Sequence, residues 1–400
     1  MFHSNLHPYA AFEFFITNVE FTNVEFILLA TLSAAFVYQL YFYCRYLNGI
    51  WRQKKKNKKN ETIFSNSHPP VSVIICAKNE EENLKKYLPV ILEQDYPQYE
   101  VIVIDDASDD NTALLLSAFC EKYPHLYTTF VPHETKNFST KKLGLTLGIK
   151  AAKHDILLLT DADCVPESKT WIGKMARNFT PGTDIVLGYG AYINHKGFLN
   201  KQITYETLFI AMQYMGMAAA RKAYMGVGRN LAYRKETFKK KNGFVPFMAI
   251  RSGDDDLFVN HAADKRNVKI EVSSESITRS EAKENYRSWR YQKERHLSAS
   301  PYYKQSTKIR LMIEPFFRAL FYLFLILSLT FGHNWMVKAA ATFLFLVRWG
   351  VQMLIINRTS THFGERKYYF SLIFFDIFQP LNTFFILLYS KFRPKNIIWK

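Results

Sequence analysis

The chain has 400 residues and a formal net charge of +17, and its apolar residues are concentrated at the two ends. This length allows one large domain with additional segments. Much of the excess positive charge lies beside apolar stretches, in the run 52–59, at Arg366 and Lys367, and over 391–400. Attraction to anionic lipid headgroups explains these clusters, so we expect membrane lipids and no nucleic acid as partners. The four cysteines have no metal-ligand spacing and are expected to be reduced thiols.

The first predicted membrane segment is the uncharged stretch from Ile27 to Tyr43, close to the roughly 20 residues that cross a bilayer. Basic residues follow this stretch and none precedes it. The positive-inside rule therefore predicts an integral protein of the cell (inner) membrane, with everything from Arg52 onward in the cytoplasm. A cleaved signal peptide is the alternative, but its positive charge would come before the apolar run. Residues 1–51 are thus a predicted anchor and 52–70 a basic linker.

The next part of the chain alternates short apolar runs with segments of helical spacing, which predicts an α/β domain with a mostly parallel central sheet over 71–308. The predicted strands are Val71–Cys76, Val101–Ile104, Tyr127–Val131, Ile156–Leu159 and Ile185–Leu187, and the predicted helices are Glu80–Glu93, Asp109–Lys122 and Thr140–Lys153.

The composition turns apolar again in the predicted C-terminal membrane region, residues 309–400. Three candidate spans lie there, Phe316–Phe331, Trp335–Ile356 and Tyr368–Tyr389. Three crossings would leave the basic C-terminus outside, against the positive-inside rule. Pro380 is predicted to break the last span into a hairpin, which would return the C-terminus to the cytoplasm. The number of crossings stays open.

Two carboxylates at positions i and i+2 follow the buried strand that ends near Leu159. In extended backbone Asp161 and Asp163 point the same way, at the carboxyl end of the strand, where open α/β sheets bind ligands. Hard oxygen ligands there predict a site for Mg²⁺ or Mn²⁺ together with the phosphates of a nucleotide. A polar turn is the alternative interpretation.

The two preceding strands also end in acidic groups. Asp106 and Glu80 are placed to accept hydrogen bonds from the N–H of a base and from the hydroxyls of a ribose. A dinucleotide-binding fold is disfavoured, because no Gly-rich turn follows the first strand.

These motifs together resemble glycosyltransferase family 2. The resemblance rests on Val71-Ser72-Val73-Ile74-Ile75 with Asn79-Glu80, Ile104-Asp105-Asp106-Ala107-Ser108, Lys141 with Gly148-Ile149, and Asp161-Ala162-Asp163. It covers roughly 70–300 and implies the GT-A nucleotide-diphosphosugar transferase fold, with membrane helices on both sides as in the family's integral-membrane members. It further implies that Glu80 and Asp106 contact the base and ribose, that Lys141 contacts the nucleotide, and that Asp161 and Asp163 bind the metal.

The segment Arg251-Ser252-Gly253-Asp254-Asp255-Asp256-Leu257 resembles the family's Glu-Asp-x-Asp-Leu region, with Gly253 in place of the usual Glu. The resemblance implies that Asp254 is the catalytic base and Asp256 the following acid, while Asp255 is a rival base. An acidic cap of the next helix is the alternative.

A helix is also expected around Trp289, Gln292, Arg295 and His296, whose spacing of three and four places them on one face. Gln292-Lys293-Glu294-Arg295-His296 is similar to the Gln-x-x-Arg-Trp of the family's membrane polymerases, with His in place of Trp. This likeness implies that Arg295 clamps a diphosphate and that Trp289 stacks on a sugar. The segment from Gly226 to Arg234 resembles a family loop near the acceptor and the donor sugar, which implies that Arg229 or Asn230 meets a hydroxyl or a phosphate. Glycines in a plain turn are the alternative.

We therefore predict a membrane-bound inverting glycosyltransferase that uses a nucleotide-diphosphate sugar and a lipid-linked or saccharide acceptor. A processive polysaccharide synthase of the same family is the alternative, although the few candidate spans favour single transfer. A catalytically silent membrane scaffold is a third possibility, for which loss of the acidic sites would be the mark, and all of them are present.

Overall fold

The computed structural model describes residues 22–132, 139–250 and 252–392. It divides into two compact units. One unit joins the N-terminal part of the chain up to Tyr43 with residues 310–352, and the other joins residues 44–309 with residues 353–400.

The described helices and strands follow in chain order. The strands are β1 Val71–Ala77, β2 Tyr99–Asp105, β3 Leu126–Phe130, β4 Ile156–Asp161, β5 Cys164–Pro166, β6 Ile185–Leu187, β7 Gly190–Tyr192, β8 Leu231–Arg234, β9 Val268–Ile270 and β10 Thr278–Ser280. The helices are α1 Asn23–Phe42, α2 Gly49–Lys58, α3 Glu81–Leu92, α4 Thr112–Lys122, α5 Thr140–Ala151, α6 Trp171–Ala176, α7 Phe198–Ala219, α8 Lys235–Lys240, α9 Asp256–Ala262, α10 Tyr286–Leu297, α11 Gln305–Phe331, α12 Trp335–His362 and α13 Ser371–Phe392.

The larger unit contains a seven-stranded sheet in the order β3-β2-β1-β4-β8-β6-β9, and a three-stranded sheet in the order β5-β10-β7. Strands β1 to β4 are parallel, and β8 is antiparallel to both of its neighbours. The predicted α/β fold with a mostly parallel sheet is therefore confirmed. Every residue of β1 is buried, as expected for a strand covered on both faces.

The register of the sheet aligns the ends of its central strands. Cys76 of β1 is opposite Asp161 of β4, and Ala77 is opposite Asp105 of β2. Because these strands are parallel, the residues that follow them leave the sheet at one edge. Below that edge the core is apolar, with Val73 and Leu158 both at most 1% exposed. Burial of each such side chain stabilises the folded state by roughly 1.5–3 kcal/mol, so the sheet holds the residues at that edge in fixed positions.

Four described helices are long and apolar enough to cross a membrane: Asn23–Leu47, Gln305–Phe331, Trp335–His362 and Ser371–Tyr389. This agrees with the predicted membrane type. Helix α13 continues through Pro380, so the predicted break there is wrong; proline removes one helical N–H donor but does not end this helix. Part of the predicted basic linker is helical, as α2. Residues 1–21 of the predicted anchor and the basic stretch 393–400 lie outside the described residues.

Within the smaller unit, two arginines that interrupt the apolar spans have polar partners. Arg318 Nη2 lies 2.6 Å from Glu314 Oε2, one helical turn away. Arg348 donates a hydrogen bond to Gln39 Oε1 over 3.1 Å. Buried charges in an apolar helix bundle require such partners, which explains how these spans accommodate arginine.

Candidate functional site

The paired carboxylates lie where β4 ends. Asp161 is the last residue of the strand, and Asp163 precedes β5. A carboxylate oxygen of each and the Sγ of Cys164 lie within 4.8 Å of one another. Burial and then the charge of Asp161 raise the pKa of Asp163. Burial also raises the pKa of the Cys164 thiol well above its usual value. Sulfur is a soft ligand that suits Mg²⁺ or Mn²⁺ less than the two hard carboxylates do. Two crowded carboxylates of this kind fit a small divalent cation.

Lys141, on the first turn of α5, connects this pair to the acidic segment at α9. Its Nζ lies 3.0 Å from Asp161 Oδ1 and 3.1 Å from Asp254 Oδ2. Burial disfavours the ammonium charge, but Asp161 and Asp254 outweigh this effect and hold the pKa of Lys141 well above its usual value. Residues separated by more than ninety positions in the chain thus meet at one charged group.

Asp254 is buried, and its carboxylate faces this lysine. Burial alone would raise the pKa of Asp254, but Lys141 and then Arg295 lower it below the usual value. Asp254 is therefore ionised at neutral pH and can accept a proton.

Asp255 has a different environment from its neighbour. Its Oδ2 accepts a hydrogen bond from the Gly228 amide and its Oδ1 one from the Asp256 amide, both over 2.7 Å. It caps α9 and ties this helix to the loop that carries Arg229. Both oxygens of Asp255 are engaged by backbone, which favours Asp254 over Asp255 as a proton acceptor.

Asp256 is buried at the first position of α9, with a partner for each carboxylate oxygen. The hydroxyl of Tyr303 donates to its Oδ2 over 2.6 Å, and the Leu257 amide donates to its Oδ1 over 2.7 Å. Burial, followed by the charge of Asp255, raises the pKa of Asp256 to about 7. These contacts engage both carboxylate oxygens of Asp256, which holds the start of α9.

Lys142 was not predicted as a site residue, yet it fixes the segment that leads to Asp254. Its side chain is fully buried, and its Nζ donates to the carbonyls of Phe247, Ile250 and Ser252. Burial lowers the pKa of Lys142 to about 8. The two adjacent lysines of α5 therefore hold the Asp254 segment at both its backbone and its carboxylate. No signal in the sequence distinguished Lys142, because lysine pairs also occur at 58–59 and 85–86.

The acidic groups after β1 and β2 lie at the same edge of the sheet. Asp106 is fully buried and accepts a hydrogen bond from the Thr140 hydroxyl over 2.7 Å at Oδ2. Its Oδ1 has no partner among the described residues. Burial raises the pKa of Asp106. Glu80 accepts a hydrogen bond from the Asn83 amide over 2.5 Å, and burial raises the pKa of Glu80 too.

Arg229 lies in the short helical turn before β8. Its guanidinium donates to the Ala191 carbonyl and the Ser280 hydroxyl, over 2.9 and 3.1 Å, and stacks on the ring of Tyr192 at 4.1 Å. Burial opposes its charge, but Tyr192, Cys164 and Asp163 raise the pKa of Arg229. Arg229 is thus held beside the paired carboxylates by Tyr192, a residue that the sequence pattern did not single out.

Helix α10 carries the remaining predicted site residues, three of which have polar contacts. Gln292 donates to the Tyr192 hydroxyl over 3.1 Å, and Arg295 lies 3.3 Å from the Nε2 of His296. The side chain of His296 is exposed.

Trp289 does not lie in the cleft. It is 1% exposed and packs with Tyr192 and Ile203 in a hydrophobic cluster. The predicted stacking of this ring on a sugar does not agree with such burial, because neither ring face is accessible. Trp289 instead packs under Tyr192 and fixes α10 to the small sheet.

The comparisons with known proteins agree with this architecture. The sequence model of Glycosyl transferase family 2 matches residues 72–241. The chain is 32% identical over 123 residues to Glycosyltransferase AglE of Haloferax volcanii, covering 30% of this chain and 39% of that protein. It is 30% identical over 115 residues to a poly-beta-1,6-N-acetyl-D-glucosamine synthase of Staphylococcus epidermidis, covering 28% of this chain and 27% of the synthase. The matched segments span less than half of either relative.

Among solved structures, the chain is similar to the mannosyltransferase PcManGT from Pyrobaculum calidifontis in complex with GDP-Man and Mn²⁺. The TM-score is 0.50 at 20% identity, and the match covers 89% of this chain and 98% of the mannosyltransferase. At this identity the likeness is one of fold. Residues 72–241 therefore form a glycosyltransferase family 2 domain, and the α/β part of the chain has the GT-A fold.

Proposed function

We propose that the chain is a metal-dependent, inverting glycosyltransferase of the membrane that moves a sugar from a nucleotide-diphosphate donor to a hydroxyl of a lipid-linked or saccharide acceptor. The observation that carries this proposal is the position of Lys141 Nζ, 3.0 Å from Asp161 Oδ1 and 3.1 Å from Asp254 Oδ2. A transferase needs a diphosphate site and a proton acceptor within one cleft, and this lysine joins the candidates for both.

Asp161 and Asp163 would hold a divalent cation, Mg²⁺ or Mn²⁺, whose charge compensates the charge that develops on the departing nucleoside diphosphate. The grouping of these carboxylates within 4.8 Å supports this assignment. The Mn²⁺ in the similar mannosyltransferase structure supports it as well.

The nucleotide end of the donor would lie over the ends of β1 and β2. Asp106 offers a buried oxygen without a partner among the described residues, suited to an N–H of the base. Glu80 is placed to accept hydrogen bonds from ribose hydroxyls. Lys141 and Arg295 supply positive charge for the diphosphate, and the guanidinium of Arg295 matches two phosphate oxygens at once.

Transfer then requires removal of a proton from the acceptor. Asp254 takes this proton while the acceptor oxygen attacks the anomeric carbon, and the bond from that carbon to the diphosphate oxygen breaks on the opposite face. One direct displacement inverts the configuration and needs no covalent sugar–enzyme intermediate. A positioned general base contributes typically 10²–10⁴-fold to such a step, and alignment of donor with acceptor contributes further.

The four long apolar helices fit a membrane protein. The basic run after the first of them favours a catalytic domain on the cytoplasmic side of the cell (inner) membrane.

Processive polysaccharide synthesis is a second candidate, favoured by the likeness to the poly-beta-1,6-N-acetyl-D-glucosamine synthase. Product length separates the two candidates. A single added sugar supports transfer to a lipid-linked acceptor, and a ladder of products supports polymerisation.

The test is a donor screen with the full chain in detergent or nanodiscs, Mg²⁺ or Mn²⁺, radiolabelled UDP- and GDP-sugars, and membrane lipid extract as acceptor. We expect transfer or hydrolysis with one donor, abolished in Asp163→Ala and lowered at least a hundredfold in Asp254→Asn. Lys150→Met, an exposed change on α5, serves as the matched control. Undiminished turnover in both acidic variants would contradict the proposal.

A further inference from the structure

A group of basic residues lies where α2 packs against the last turns of α12. The indole of Trp51 is at its centre. The ammonium of Lys54 lies over this ring, 5.0 Å from its centroid, and the guanidinium carbon of Arg358 lies over it at 4.5 Å. Neither contact supplies a negative charge.

The hydrogen-bond partners of these two cations are neutral. Lys54 Nζ lies 2.9 Å from His362 Nδ1, and His362 Nε2 lies 2.7 Å from the carbonyl oxygen of Val272. The carbonyl can only accept, so the histidine proton is assigned to Nε2 and Nδ1 accepts from the lysine. Arg358 donates to the side-chain oxygen of Asn48.

Positive charge here is uncompensated within the described residues. No carboxylate there forms an ion pair with Arg52, Lys54 or Arg358, and the one ion pair of the basic run joins the exposed Lys59 to Glu61 at 3.9 Å. Burial, followed by the charge of Lys58, lowers the pKa of Lys54. Two N–H donors, Trp51 Nε1 and Arg358 Nε, are buried without an acceptor in the described part of the chain.

We propose that Trp51, Lys54 and Arg358 form a binding site for the phosphate group of an anionic membrane lipid. Buried donors and cations without acceptors mark a place for an acceptor-rich anion, and a guanidinium matches two phosphate oxygens. Position along the chain favours a lipid as the source of this phosphate. Arg358 lies in the last turns of the candidate span Trp335–His362, and α2 begins two residues after the candidate span Asn23–Leu47.

The ends of spans lie at headgroup level, where basic side chains meet lipid phosphates and tryptophan is enriched. None of these contacts involves a residue proposed for sugar transfer, and the lipid site does not depend on that proposal.

The test uses the full chain in detergent, with native mass spectrometry to count bound lipid and thermal unfolding as a second measurement. Phosphatidylglycerol is compared with phosphatidylcholine, and inorganic phosphate is a separate arm. We expect retained phosphatidylglycerol and a higher unfolding temperature with this lipid. Lys54→Gln and Arg358→Gln should each weaken retention by roughly fivefold, the effect of one basic side chain at a membrane surface.

Lys59→Gln is the matched control, because it removes one exposed positive charge from the same basic run. It should leave retention unchanged. Equal losses in Lys59→Gln and Arg358→Gln would overturn the site in favour of diffuse surface attraction. Equal stabilisation by inorganic phosphate would overturn the lipid as its ligand. Arg358→Lys tests whether the loss of lipid in Arg358→Gln reflects misfolding. It keeps the positive charge but loses the bidentate contact, and it should retain an intermediate amount of lipid.

Discussion

The Nζ of Lys141 lies 3.1 Å from Oδ2 of Asp254. This contact joins the α5 side of the cleft to the start of α9 and sets the charge state of the proposed base. Because the same ammonium lies 3.0 Å from Asp161, it occupies the space between the candidate metal pair and the candidate base. Removal of the Lys141 side chain should therefore affect both the candidate metal pair and the candidate base.

Replacement of Lys141 by Met should move the acid limb of the activity profile to higher pH. Burial raises the pKa of Asp254, and Lys141 is the largest of the groups that lower it. Without the lysine the carboxylate holds its proton to higher pH, and a protonated base is inactive. The measurement is kcat/KM against pH for wild type, Lys141→Met and Lys150→Met. An acid limb at the same pH in all three would contradict the assigned role.

Asp254→Asn and Asp255→Asn should have different effects, although the residues are adjacent. Asp254→Asn removes the proton acceptor and should lower kcat by about 10²–10⁴-fold. Asp255→Asn loses one of two backbone hydrogen bonds to a charged acceptor, at a cost of about 1.5–3 kcal/mol in the free energy of unfolding. Kinetics and thermal unfolding on both variants check this, and the reverse pattern would make Asp255 the base.

Divalent cations should stabilise the chain through the carboxylate pair. A ligand that binds only the folded state raises the unfolding temperature, and Asp161 and Asp163 together supply the ligands. We expect Mn²⁺ to raise the unfolding temperature of wild type and EDTA to reverse the rise. Asp163→Asn should lose the response, whereas Cys164→Ser should keep it, because Mn²⁺ prefers carboxylate oxygen to sulfur. A response that survives in Asp163→Asn would place the ion elsewhere.

The sequence contained the sheet and its acidic edge, because each signal was local. A buried parallel strand is an unbroken apolar run, as at Ile156–Leu159, and the residues that follow it must emerge at the carboxyl edge. The sequence alone therefore predicts that three carboxylates lie together at this end of the sheet: Asp161 and Asp163 after β4, and Asp106 after β2. The position of Asp254 beside them came from the family resemblance.

Tertiary packing decided what local patterns did not. The helical spacing predicts that Trp289 and Gln292 share one face of α10. The ring of Trp289 is nevertheless in the core, because Tyr192 and Ile203 from other elements cover it. Nothing in the local sequence distinguishes Lys142 from a solvated lysine. Its side chain is nevertheless buried, and it donates to backbone carbonyls of a segment that lies more than a hundred residues further along the chain. Spacing along one element cannot reveal which neighbours cover it.

Asp256→Asn should reduce the pH dependence of stability. The pKa of Asp256 is raised from a usual 3.8 to about 7 by burial and by Asp255. Between these values the folded chain holds a proton that the unfolded chain releases, so the stabilisation is lost as pH rises through 7. Unfolding temperatures at pH 5.5 and 8 should therefore differ less in Asp256→Asn than in wild type. The exposed Asp109→Asn is the control, and an unchanged difference in Asp256→Asn would refute the assignment.

Gly216→Ala should destabilise the chain by separating α2 from α7. A Cβ at Gly216 would lie 1.9 Å from the carbonyl oxygen of Tyr46, and one at Gly49 would lie 2.5 Å from the Cα of Gly216. Backbone atoms cannot yield as a flexible side chain does, so α2 must shift, at a cost of about 1–3 kcal/mol. Gly350→Ala is the matched control, since no atom lies within 4 Å of a Cβ there. Alanine should stabilise that helical position by about 0.5–1 kcal/mol. Thermal unfolding in detergent compares the two variants, and equal unfolding temperatures would contradict a close α2–α7 contact.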